Sequence, residues 1–196
     1  MKKYLFLIFA IFLLLNFVQQ QSDLVLWNAK RPLKFEDFKA VQKDTIKIEN
    51  NGMILGAQSR FKFRFNTSQT SNTTPKMEVF VYFDPKDSWM LLKTETTLEH
   101  EQIHFNIVEL YARKMRKSID SLRKLNVNNL QIYKDKVSDW NKKYDNYNIL
   151  FDTEIDDKVY YLNGKFLSDK NPKQKIWKEK VDKELKILEK FQLMSL

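Results

Sequence analysis

The sequence predicts an α+β domain in which a small antiparallel sheet comes first and long helices follow. Three observations carry that expectation. Residues 60–65 alternate strictly, with Phe61, Phe63 and Phe65 on one side and Arg60, Lys62 and Arg64 on the other, the period of a half-buried strand. After a polar Thr/Ser/Asn stretch at residues 66–75, residues 77–83 return as a second strand, so the two read as an antiparallel hairpin with a long connection. From about residue 96 onward the apolar residues recur with helical spacing, and strands followed by helices give the α+β class.

Taken in order, Lys2 and Lys3 precede a mostly apolar run at residues 4–18, the pattern of a secretory signal peptide. The run is short for a membrane-spanning helix. Residues 1–21 are assigned to this signal and 22–196 to a single folded domain, secreted or periplasmic; retention as an uncleaved membrane anchor is the alternative. Residues 23–27 read as a short strand, and Arg31-Pro32-Leu33 opens a helical turn through Glu36, Asp37 and Phe38. Residues 45–48 are another strand candidate, ended by Asn50-Asn51-Gly52, and Asp84-Pro85-Lys86-Asp87 forms a turn. A helix is expected over 96–122 and a second over 128–147, with Leu130, Tyr133, Val137, Trp140 and Tyr144 on one face. The acidic residues 152–157 read as a loop and residues 159–164 as hairpin-like. A last helix starts at Asn171-Pro172, with Ile176, Val181, Leu185 and Leu188 on its buried face.

Composition narrows the chemistry. With 196 residues, 43% hydrophobic and 14% aromatic, the chain can bury a core, and only 3 glycines and 4 prolines leave little room for long flexible linkers. The absence of cysteine excludes disulfides, thiolate zinc sites and cysteine acylation. A net charge of +9 invites a nucleic-acid partner, but the positives are interleaved with acids, as in Lys178-Glu179-Lys180-Val181-Asp182-Lys183-Glu184. That is the pattern of a solvated helix surface, so no nucleic acid is expected.

The segment His100-Glu101-Gln102-Ile103-His104 is H-E-x-x-H and uses the chain's only two histidines. Four residues along a helix place both imidazoles on one face, about 6 Å apart along the axis, within reach of one Zn²⁺ at roughly 2.0–2.1 Å. Glu101 lies beside them, where a carboxylate can take a proton from metal-bound water. An exposed polar helix that happens to carry two histidines is opposed by the flanks. Ile103, Phe105, Ile107, Val108, Leu110 and Tyr111 predict burial, and buried polar groups need partners. A catalytic zinc takes three protein ligands, so a carboxylate must supply the third. Glu109, five residues past His104, is turned about 140° around the helix and is expected to pair with Arg113. Glu154, Asp156 and Asp157 remain.

The chain resembles secreted bacterial proteins grouped as domain of unknown function 922, described as candidate zinc-dependent proteases. The resemblance rests on Trp27 with Arg31-Pro32-Leu33 and Asp37-Phe38, on Ser88-Trp89, on His100-Glu101-Gln102-Ile103-His104-Phe105, on Glu109-Leu110-Tyr111-Ala112-Arg113, and on Gln174 with Trp177. It implies a zincin-like metallopeptidase fold and a peptide or protein substrate. Ile103 stands where the family has glycine. Asp157 stands where it has a histidine, so the resemblance makes Asp157 the expected third zinc ligand, if that histidine is a ligand there. Two other readings compete with a monomeric zinc peptidase. One is a zinc-binding scaffold that has lost catalysis, and the other is a basic binding module in which the histidines are incidental.

Overall fold

The computed structural model describes residues 24–41, 56–155, 159–162, 165–168 and 172–193. The expected signal peptide, the strand expected at residues 45–48, and Asp156 and Asp157 lie outside the described residues. The architecture is α+β: a small antiparallel sheet, three helices and two short two-stranded pairs.

Strands β1 (Val25–Leu26), β3 (Phe61–Ser68) and β4 (Lys76–Phe83) form one antiparallel sheet in the order β1-β4-β3. The β3–β4 register runs from Phe61 opposite Phe83 to Ser68 opposite Lys76. The hairpin is therefore as expected but its connection is shorter, because Asn66, Thr67 and Ser68 continue the ladder. Asn72 turns the chain with φ 60°, a conformation asparagine tolerates better than most residues. β2 (Ala57–Gln58) pairs antiparallel with β5 (Trp89–Met90) in a separate ribbon. Between β4 and β5, Asp84 caps the short 3₁₀ turn Pro85–Asp87 by accepting from the Lys86 amide at 3.0 Å, and pairs with Lys62.

Thr94 caps α1 (Glu95–Lys124) by accepting from the Thr97 amide at 3.1 Å. At 30 residues the helix is about 45 Å long. It ends where Asn126 takes a positive φ of 54°, with Arg123 and Lys124 favourably placed at the negative end of its dipole. Its middle is buried almost all round. Phe105, Val108, Ala112 and Met115 pack against Val79, Val81 and Phe83 of the sheet, while Ile103, Ile107 and Leu110 pack against the later helices.

Those helices are α2 (Leu130–Ile155) and α3 (Pro172–Ile187). α2 runs eight residues past the expected end at 147. Residues 152–155, expected in a loop, are its last turn, because Phe151 and Ile155 are fully buried on the helix side of α1 and no glycine or proline interrupts the helix. In α3 the inward face is Trp177, Val181 and Leu185 with Leu188 just beyond. Ile176, expected inside, is 63% exposed because it lies one residue, or about 100°, off that stripe. β6 (Val159–Leu162) and β7 (Lys165–Ser168) pair antiparallel. No helix among the described residues is long and apolar enough to cross a membrane.

One buried ionic node joins these layers. Glu109, 2% exposed, accepts from Arg113 Nε at 2.9 Å and from Arg116 Nη1 at 2.9 Å. Arg113 also donates to the Leu185 carbonyl at 2.6 Å and to Gln192 at 2.7 Å, tying α1 to the end of α3. Arg116 donates to the Val79 carbonyl at 2.9 Å and the Phe191 carbonyl at 3.0 Å, tying it to β4 and to the C-terminal turn. Removing the carboxylate leaves two buried guanidiniums without their counter-charge. Glu109→Ala is expected to lower the unfolding free energy by about 3–5 kcal/mol, measured by urea denaturation; a loss below about 1 kcal/mol would show that the node is dispensable.

Candidate metal centre

The site is built by the antiparallel packing of α1 and α2. His100 and His104 are one helical turn apart on α1, and Asn148 and Asp152 are one turn apart on α2. Both pairs project into the same gap. His100 Nε2 and His104 Nε2 lie 3.0 Å apart, and Asp152 Oδ1 is 2.8 Å from the latter and 3.4 Å from the former. The ring of Phe151 packs beneath both imidazoles, with centroids 4.8 and 4.7 Å away, and Trp177 of α3 packs on Phe151 at 5.4 Å. The donor atoms thus stand on a rigid aromatic base.

His104, 8% exposed, places Nδ1 2.8 Å from the Asn148 amide oxygen. With that oxygen accepting, Nδ1 carries the proton and Nε2 keeps its lone pair for the gap, the usual way an outer partner fixes the tautomer of a ligating histidine. Two imidazole nitrogens and a carboxylate oxygen this close need positive charge between them. In the metal-free chain a proton supplies it. Burial disfavours the charged ring of His104, but the hydrogen bond it donates to Asp152 and the charges of Asp152 and Glu101 outweigh burial and raise its pKa above 6.5. Burial likewise opposes ionisation of Asp152, yet hydrogen bonds from His100 and His104 hold its carboxyl below the usual 3.8.

The same three residues form a possible metal-binding triad. Donors bound tetrahedrally at about 2.0–2.1 Å are roughly 3.3 Å apart, and the observed edges of 2.8, 3.0 and 3.4 Å bracket a slightly tighter triangle. Two imidazoles with one carboxylate is also a donor set that catalytic zinc accepts. The triad opens into a cavity of about 310 Å³ lined by Glu101, Tyr144 and the extended residues 57–61. Ser59 Oγ, buried in this wall, has no hydrogen-bond partner among the described residues.

The other expected residues fall as follows. His100, Glu101 and His104 converge on one cavity. Asp157, like Asp156, lies outside the described residues. Glu154 accepts from the Trp177 indole at 2.8 Å, and Glu109 pairs with Arg113, the role expected of it. Asp152 and Asn148 were not singled out by the sequence. Their signal is the apolar spacing Tyr144, Phe151, Ile155, which continues the α2 stripe and puts Asn148 and Asp152 four residues apart beside it.

No family model, curated protein or solved structure matches the chain. The residues from which the likeness to domain of unknown function 922 was read make the following contacts. The Trp27 indole donates to Asn106 at 3.0 Å, and Gln102 accepts from the Leu33 amide at 2.7 Å. Arg31 and Asp37 form a two-bond pair, Ser88 Oγ accepts from the Arg60 amide at 2.9 Å, and Gln174 donates to the Thr96 carbonyl at 3.1 Å.

Two outcomes test the centre. Asn148→Ala is expected to weaken metal binding about 10- to 100-fold by freeing the His104 ring. Asp152→Ala should release the metal on dialysis; retention there with loss in Asp157→Ala would move the third ligand to Asp157. pH supplies the second test. The raised His104 pKa stabilises the metal-free fold fully below pH 6.5 and ceases to do so as pH rises through the raised value; the lowered Asp152 pKa stabilises it above 3.8. The metal-free chain is thus stabilised by this pair most fully between those values. Metal affinity, which needs an unprotonated ring, should instead climb above pH 6.5, as read by calorimetric titration.

Proposed function

We propose that this chain is a zincin-like, zinc-dependent peptidase acting outside the cytoplasm. The observation that carries the proposal is the convergence of His100, His104 and Asp152 with Glu101 at one cavity. Zinc is favoured by the donor set, and its Lewis acidity would activate water and polarise the scissile carbonyl.

The chain's own groups supply the remaining requirements. Glu101, 6% exposed, accepts a proton from the attacking water and passes it to the leaving amine. Tyr144 lines the cavity, and burial, with the charges of Asp145 and Asp152, pushes its pKa up to about 12. It therefore keeps its hydroxyl proton at neutral pH and serves as donor to a developing oxyanion. Arg113 is committed to Glu109, Leu185 and Gln192 and is not offered for that role. The substrate is an extended peptide. Residues 57–61 run along the cavity, and β2 pairs with β5 on one side only among the described residues, which leaves main-chain groups for a substrate strand. The positively charged N-terminus followed by an apolar run supports export.

The second reading, a zinc-binding scaffold without catalysis, is favoured by the exposed position of Asp152, whose side chain is 51% accessible. The two readings part on one variant. Glu101→Gln is expected to keep stoichiometric zinc while losing about 10²- to 10⁴-fold in peptide hydrolysis, measured with a mixed peptide library and metal analysis. Stoichiometric zinc with no turnover in the unsubstituted protein selects the scaffold.

A further inference from the structure

A second cavity of about 460 Å³ opens where the far ends of α1, α2 and α3 meet. Ser118, which lines it, is 14 residues beyond His104 on α1, so it lies about 21 Å along the helix from the metal centre. Its volume falls within the range of about 300–1,000 Å³ typical of small-molecule sites. The lining divides by chemistry. Leu122, Trp140, Ile187 and Leu188 make it largely apolar, and Ile187 leaves 69% of its surface exposed at the opening.

Beside the hydroxyls of Ser118 and Ser121, the charged lining is mostly cationic. Lys114, Lys117 and Lys136 contribute ammonium groups, against Glu184 as the one acid. Glu184 is already used: it accepts from Lys114 at 3.0 Å and from the Tyr147 hydroxyl at 3.0 Å. Neither Lys117 nor Lys136 makes an ion pair among the described residues. After internal pairing, the groove keeps an apolar floor and a net positive rim.

We propose that this groove binds a single-chain anionic amphiphile, a monomeric long-chain carboxylate or phosphate. Its hydrocarbon lies along Trp140, Leu122 and Ile187, and its headgroup is neutralised by Lys117 and Lys136. An uncharged amphiphile would leave the ammonium groups unanswered, and a simple anion would leave the apolar floor wet, so the combination selects both properties together. The site is independent of the peptidase reading, since it shares no residue with the metal centre.

The test uses the full chain and dodecanoate below its micellar concentration, with dodecyl maltoside as the uncharged probe of equal chain length. Calorimetry is expected to show one saturable site for dodecanoate, with the uncharged probe at least about tenfold weaker. The double substitution K117E/K136E, at two lysines that make no ion pair among the described residues, should weaken dodecanoate about tenfold or more, and Ile187→Asp should do the same, while circular dichroism and metal content stay unchanged. Equal binding of both probes, or indifference to the lysine reversals, overturns the proposal. Binding only to vesicles of anionic lipid and not to monomeric dodecanoate also overturns it, in favour of a membrane-facing surface.

Discussion

Burying the middle of α1 strips water from His104, Glu109 and Arg113, and the surrounding elements are arranged to replace it. Each of these side chains is less than 9% exposed. An unanswered charge in such a place costs several kcal/mol, so the sheet, the C-terminal turn and α2 must each bring a partner. Val79, Leu185 and Phe191 present carbonyls to the arginines, and Asn148 and Asp152 present oxygens to the histidines. Polar satisfaction along one helix thereby fixes where the other elements may dock.

The two halves of α1 use this constraint differently. Around Glu109 one carboxylate serves two guanidiniums, and their other donors end on backbone carbonyls and on the Gln192 side chain. Such a node is paired within the fold. Around His100 and His104 the donor atoms face one another across a gap with an open side, next to a cavity and an acid. The first arrangement holds the helix in place; the second leaves room for a possible metal ion.

The two hairpin strands and the three helices were legible because each is written in a local period, two for residues 60–65 and near 3.6 for the helices, whereas the two-residue strands Ala57–Gln58 and Trp89–Met90 are too short to carry one. The histidine pair was legible because four residues on a helix fix one face whatever packs on it. The third oxygen was not. Asp152 sits among Asp, Glu and Thr residues whose composition suggests a loop, and only burial of Phe151 and Ile155 against α1 keeps that segment helical. Ile176 shows the same limit from the other side. Its hydrophobicity predicted burial, but the neighbouring Trp177, the larger ring, took the inward position and left it in solvent.

The donors of the metal centre differ in how far apart they are along the chain. His100 and His104 come together whenever a single turn of α1 forms. Asp152, 48 residues beyond His104, arrives only when α1 and α2 have closed on each other. A cation held by all three therefore acts as a clasp across a long loop, drawing its grip from the tertiary fold and lending it back. A chain still unfolded would offer such an ion only a weak two-point site, which becomes tight as the fold closes. Occupancy of the site then doubles as a record that the helical hairpin has shut.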